Sequence, residues 1–193
     1  CSEFNSSYYI IGGECCTDGQ EGGKMCVVKL INYDNTSLYT QCLTCDGQYL
    51  WVSLDGLFAE DKVVIWKMTV DGIIEKKIYP PEMDPSGLEW DGQYLWSVDG
   101  SYGGENKINK LSTDGQVVDS FNPINYPWGL AWVNPYLYVS DWKSDLPGGN
   151  KIYKITTSGQ VVGSFEFKDG YGLAWDGQFL WGVSNPDNDP AEI

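Results

Sequence analysis

Trp90-Asp91-Gly92-Gln93-Tyr94-Leu95-Trp96 recurs almost unchanged as Trp175-Asp176-Gly177-Gln178-Phe179-Leu180-Trp181. Cys45-Asp46-Gly47-Gln48-Tyr49-Leu50-Trp51 is a third copy with its first Trp replaced, and Trp132-Val133-Asn134-Pro135-Tyr136-Leu137-Tyr138 is a degenerate fourth. The copies stand about 42 to 45 residues apart, the length of one four-stranded blade in a repeat protein. Each repeat carries four strand-like segments separated by turn signals.

The first segment is Gly-Leu-x-Trp, at Gly87–Trp90, Gly129–Trp132 and Gly172–Trp175, with Leu and Trp on one face of an alternating pattern. Asp-Gly then predicts a tight hairpin. Second strands are expected at Tyr49–Ser53, Tyr94–Val98, Tyr136–Ser140 and Phe179–Ser184. A Gly-rich loop ending in Lys leads to third strands such as Lys107–Leu111 and Lys151–Ile155. Asp71-Gly72, Asp114-Gly115 or Ser158-Gly159 then turns into a fourth strand, at Ile73–Tyr79, Gln116–Phe121 and Gln160–Phe165. This strand-only repeat resembles the blade motif of the NHL, YVTN and TolB-like β-propellers. The resemblance covers nearly the whole chain and implies a propeller fold. It implies no particular activity, because such blades serve lyases, hydrolases, binding modules and structural proteins alike. The Trp residues are read first as core.

Extending the repeat to the N-terminus gives a second strand at Ser7-Tyr8-Tyr9-Ile10-Ile11, a third at Met25–Ile31 and a fourth at Leu38–Gln41. The tally is then 17 strands where four blades need 16. The expected fold is all-β: a four-bladed β-propeller closed by N- and C-terminal strands sharing one blade, with a spare N-terminal strand. Three regions follow: residues 1–20 as a Cys-containing segment with the spare strand, 21–185 as the propeller, and 186–193 as a short tail. An unpaired Tyr-Tyr-Ile-Ile strand is a pairing hazard. It can fold back, add to its own blade, or pair with a neighbouring subunit, and the last is a head-to-tail contact that propagates.

The chain has 193 residues, a net charge of -15, 12 Lys, and neither Arg nor His. Nucleic-acid backbones need clustered cations, so a nucleic-acid partner is not expected. Nothing approaches the roughly 20 apolar residues of a membrane span. Six cysteines, Cys1, Cys15, Cys16, Cys26, Cys42 and Cys45, all fall in the first quarter and predict a disulfide framework in an oxidising compartment. The competitor is zinc at Cys42-x-x-Cys45, disfavoured because residues three apart on a strand face opposite ways. The start at Cys1 fits a removed signal peptide, with a lipidated Cys1 opposed by the even cysteine count. Asn5-Ser6-Ser7 and Asn35-Thr36-Ser37 are glycosylation sequons at Asn5 and Asn35. An extracellular or cell-surface location is expected.

Without His, Ser-His-Asp and Cys-His catalysis and the usual zinc hydrolase are excluded. Glu89 replaces Ala131 and Ala174 of the other repeats and is either a channel-lining acid or a tolerated substitution. Asp99 with Glu105, Asp141 with Asp145, and Asp187 with Asp189 are loop carboxylates of the kind Ca²⁺ takes, or simply turn residues. No catalytic residue, metal or cofactor is assigned. The expected function is that of a non-enzymatic extracellular structural protein, self-associating through strand addition and disulfides into a surface assembly or filament. One alternative is a monomeric propeller binding a glycan or peptide on a loop face, with Tyr102 and Trp142 as aromatic contacts. A propeller-type lyase or hydrolase using Glu89 is the other.

Overall fold

A computed structural model describes residues 8–12, 29–33, 38–56, 63–80, 85–100, 106–141, 151–167 and 170–184. Every regular element among them is a strand. β1 (Tyr8–Gly12) and β2 (Lys29–Tyr33) form a two-stranded sheet. β3 (Leu38–Cys45), β4 (Leu50–Gly56), β5 (Val64–Met68) and β6 (Ile74–Ile78) form the first complete blade. β7 (Pro85–Trp90), β8 (Leu95–Asp99), β9 (Ile108–Leu111) and β10 (Val117–Phe121) form the second. The third comprises β11 (Pro127–Val133), β12 (Tyr136–Asp141), β13 (Lys151–Thr156) and β14 (Val161–Glu166). β15 (Gly170–Trp175) and β16 (Leu180–Ser184) close the series as a second two-stranded sheet.

All pairings are antiparallel and follow chain order within a blade, as the repeat predicts. The turn chemistry differs from the expected Asp-Gly centre. Asp46 N–H donates to Tyr49 O at 3.1 Å, so Gly47 and Gln48 are the central residues, and Gly47 has φ 92°. Positive φ at the first central residue alone is the pattern of a II′ turn, which demands glycine there. Asp46 flanks the turn instead, its Oδ1 accepting the N–H groups of Gln48 and Tyr49 at 2.9 and 2.7 Å. The outer hairpins are three-residue loops: Thr69 N–H bonds Ile73 O and Gly72 N–H bonds Thr69 O, both at 2.9 Å.

The core lies between consecutive blades. Trp51, Ile65 and Ile78 of the first meet Leu88, Leu95 and Leu111 of the second. Trp96, Val98 and Ile108 of the second meet Leu130, Leu137 and Ile155 of the third. Inner strands pack closely enough to need glycine. A Cβ on Gly87 would stand 2.5 Å from Trp128 O and 3.3 Å from Val98 Cγ2. Gly87→Ala is therefore expected to cost about 2 kcal/mol, by overpacking against backbone that cannot rotate away. Gly92→Ala meets nothing within 4 Å and strains only its φ of 99°, so comparing the two urea midpoints separates crowding from backbone strain.

Three expectations are corrected. Leu38–Gln41 is not a separate fourth strand. It is the leading half of β3, because Leu38, Tyr39 and Thr40 continue the ladder to Gly56, Asp55 and Leu54 of β4. The count among described residues is therefore 16 strands. The N-terminal strand is not spare either: Tyr8, Tyr9, Ile10 and Ile11 pair with Tyr33, Asn32, Ile31 and Leu30. That hairpin has one strand on each side of the expected boundary at residue 20, and its second strand is described from Lys29, the rest of the expected Met25–Ile31 strand lying outside the described residues. Finally, among the described residues no ladder joins β15–β16 to β1–β2, so the sheets are not closed there as expected.

Candidate functional site

The repeated motif is a self-contained structural device. Asp91 Oδ1 accepts the N–H of Gln93 at 2.8 Å and of Tyr94 at 2.7 Å, and its Oδ2 accepts the Trp96 indole N–H at 2.7 Å. Asp46 holds Trp51 the same way at 2.8 Å, and Asp176 holds Trp181 at 2.6 Å. A third-strand lysine then lies over the second-strand aromatics. Lys67 Nζ is 3.8 Å from the Tyr49 ring, Lys110 Nζ 4.0 Å from Tyr94, and Lys154 Nζ 3.9 Å from Tyr136. In each of these copies the Asp carboxylate is thus engaged by the blade's own turn and indole.

The last copy is incomplete. Trp51 and Trp96 are 0% exposed, whereas the equivalent Trp181 is 60% exposed. Val98 is 0% exposed and its equivalent Val183 is 65%. Phe179 and Trp175 are exposed as well. In the complete blades these positions are covered by the face of the next blade and flanked by third and fourth strands, and among the described residues β15–β16 has none of these. Bonding within the turn persists all the same. Three hydrogen bonds, from Phe179 N–H, the Trp181 indole and Gln178 N–H, hold the Asp176 carboxyl below its ordinary range.

A second deficit lies next to it. The Gly115 turn of the second blade sits against Ile78, the last apolar residue of the first blade's fourth strand. The Gly159 turn of the third blade sits against Phe121 in the same manner. Phe165, the next in this series, has no such turn over it and is 46% exposed, against 3% for Ile78. The second deficit describes a vacant place for an outer hairpin beside β16, and the first describes a sheet face on which no further blade packs among the described residues.

Glu89 is the other candidate. On β7 it pairs with Trp96. Its carboxylate is bonded by the Thr44 hydroxyl of the preceding blade and by Trp90 N–H. Burial nevertheless pushes its pKa up from 4.5 to about 7, because removal from water outweighs those two bonds. Such a group changes charge near neutrality. Among the described residues no three metal-ligating side chains come together.

Of the cysteines, the structure describes Cys42 and Cys45. Cys42 corrects the expected framework: it carries a thiol, and its Sγ donates to Ser86 O of the second blade at 3.0 Å. The reason is its place. By register it occupies the inner-strand position of Gly87 and faces the next blade's backbone. Cys45 is disulfide-bonded, which requires a partner beyond the described residues. Cys1, Cys15, Cys16, Cys26, Asn5, Asn35, Ser7, Tyr102, Glu105, Trp142, Asp145, Asp187 and Asp189 also lie outside the described residues. The sequence reading counted two C-terminal strands and expected N-terminal strands to complete their blade; the exposure of Trp181 was what it missed, because Trp181 sits in the same peptide as Trp96.

No protein-family model matches the chain, and no curated protein matches it in sequence. Solved structures do resemble it. The Myxococcus xanthus glutaminyl cyclase superposes with a TM-score of 0.59 at 18% identity, over 80% of this chain and 72% of that one. A chain of the mitotic checkpoint complex gives 0.54 at 14% identity, over 83% and 64% of the two chains. BamB from Moraxella catarrhalis gives 0.50 at 13%, over 74% of this chain and 39% of its own. Cyclase and BamB are β-propellers. This chain has a β-propeller fold. At such identities the likeness extends to the fold alone.

Proposed function

We propose that this chain is a non-enzymatic extracellular structural protein, a self-associating β-propeller subunit of a surface assembly or filament. The observation that carries the proposal is the uncovered β15–β16 half-blade, with Phe179, Trp181 and Val183 in solvent beside a strand edge. An exposed apolar sheet edge is a template for strand addition, and a protein that keeps one has a use for it. The opposite end of the chain carries a second two-stranded sheet, the β1–β2 hairpin. A subunit with an open strand edge at one end and a separate two-stranded sheet at the other has the two parts that a head-to-tail contact uses, and such contacts propagate. The Gly-Leu-x-Trp-Asp-Gly blade is assigned to the NHL, YVTN and TolB-like class, which leaves the activity open.

The test is sedimentation velocity over a hundredfold concentration range, with negative-stain microscopy of the same samples. Concentration-dependent high-mass species are expected, and deletion of residues 1–37 should reduce them at least tenfold. A single monomer boundary at every concentration sinks the proposal. A second reading, a propeller-type lyase or hydrolase, is favoured by the carboxyl of Glu89 titrating near 7. It requires turnover that disappears in Glu89→Gln with the fold intact.

A further inference from the structure

We infer that the seam between the first and second blades is a proton-operated latch. It is shut while Glu89 carries its proton, and when that proton passes to water the inner strands part locally and bare the Cys42 thiol. The inference is independent of the self-association proposed above.

This seam differs from the later ones in what fills it. Between the second and third blades the inner strands meet through glycine, since a Cβ on Gly87 would stand 2.5 Å from Trp128 O. On Gly129 it would fall 2.0 Å from Tyr171 O of β15. Cys42 holds the same register position in the first blade and does have a Cβ, so β3 cannot come as near to β7. Its Sγ bridges the wider gap to Ser86 O at 3.0 Å. Glu89 stands on β7 where the later inner strands carry Ala131 and Ala174. The Thr44 hydroxyl of the first blade reaches across to its carboxyl. Two side-chain bonds, from Cys42 and from Thr44, thus tie β3 to β7.

No cation is at hand to hold a charge in that gap. The strands packed on β7 are β3, β4, β8 and β11. Their ionisable side chains are Tyr39, Cys42, Asp55 and Asp99, with Cys45 in a disulfide and no lysine on any of them. An ionised Glu89 therefore has two hydrogen-bond donors, the Thr44 hydroxyl and Trp90 N–H, and no counter-charge on these strands. Burial outweighs the two bonds and pushes its pKa up to about 7. Loss of the proton leaves a dry carboxylate, and separating β3 from β7 admits the water that stabilises it.

The outer rim supplies the hinge. Lys76 Nζ of the first blade bonds Asp114 of the second and, at 3.1 Å, Thr113 O. The Gly115 turn packs on Ile78 beside them. Opening at the inner edge leaves these contacts in place. Cys42 is two residues from Thr44 on β3, so parting of the inner strands breaks its bond to Ser86 and frees Sγ for reaction.

The test is alkylation of Cys42 by iodoacetamide, read by peptide mass spectrometry. Its rate in the folded full-length chain is divided by the rate in the urea-unfolded chain at the same pH, which removes the thiol's own titration. From pH 5 to 8 the protection of Cys42 should fall at least about tenfold, because the carboxyl titrates near 7 when shut in and at 4.5 in water. Glu89→Gln should keep it constant within about twofold, and Glu89→Ala, which installs the residue of the later repeats, repeats the test if the glutamine variant does not fold. Local opening is told from global unfolding in Val139→Cys, whose added thiol is fully buried in the third blade. At pH 8 Cys42 should be at least about tenfold less protected than position 139, and its rate should not change in 1 M urea. Equal protection at the two positions, rising together with urea, overturns the latch. So does a protection of Cys42 that is flat with pH in the wild-type chain, or that still falls in both Glu89 variants.

Discussion

Trp96→Ala is expected to cost about 3–5 kcal/mol, while Trp181→Ala, the same substitution at the same motif position, costs the isolated subunit less than about 1 kcal/mol. The two side chains share a local environment: each indole N–H is bonded to the Asp five residues before it. They differ in what lies above them. Trp96 is fully buried, with Lys110 Nζ 5.2 Å from its ring and the Phe121 ring centroid at 5.9 Å. Deleting it leaves a cavity between two blades and strands one acceptor of Asp91. Trp181 stands mostly in solvent, so its deletion removes little from the folded subunit. Urea unfolding of both variants below the assembly concentration measures the difference. Equal losses would mean that the last half-blade is covered in the subunit itself.

Glu89→Gln is the second large effect, and its sign depends on pH. The carboxyl has a pKa of about 7 in the folded protein against 4.5 as the ordinary value, because burial disfavours the charged form. Between those values the folded state binds more protons than the unfolded chain, so stability falls as pH rises. The contribution is fully present below 4.5 and is lost as pH passes through 7. Its size is about 3 kcal/mol, from the pKa difference at 1.36 kcal/mol per unit. Glutamine keeps an oxygen for Thr44 and Trp90 and carries no charge to bury. The variant should therefore match wild type near pH 4.5 and exceed it by about 2–3 kcal/mol at pH 8. In a chain of this size that is roughly 5–10 °C in Tm. Thermal unfolding at pH 4.5, 6, 7 and 8 checks it. A wild-type Tm that climbs from pH 5 to 8 in parallel with the variant's contradicts the assignment.

The legible part of the structure is the part decided locally. Alternating Leu and Trp, a Gly that takes positive φ and an Asp that caps the turn act within about seven residues. They therefore placed β7, β8, β11, β12, β15 and β16 in the sequence. The centre of the hairpin was misread, since Asp-Gly was taken as the turn where Gly-Gln makes it and Asp91 binds the flanking groups. The ends failed for a different reason. Leu38–Gln41 has the pattern of any short strand, and its merger into β3 depends on β4 extending to Gly56 to receive it. Cys42 looked like a disulfide partner by composition, while its thiol bonds a carbonyl of the next blade that no sequence spacing reveals.

The amino-acid sequence by itself determined the all-β class, the blade length, the order of strands within each blade and the absence of His-based catalysis. Those follow from short-range periodicity, turn chemistry and composition. Tertiary structure alone decided which copy of the motif is core and which is surface. Trp96 and Trp181 belong to nearly identical peptides and make the same bond to their own Asp. Burial is a property of what packs on a sheet, and of the two only Trp96 has, among the described residues, a further blade on its face and third and fourth strands beside it.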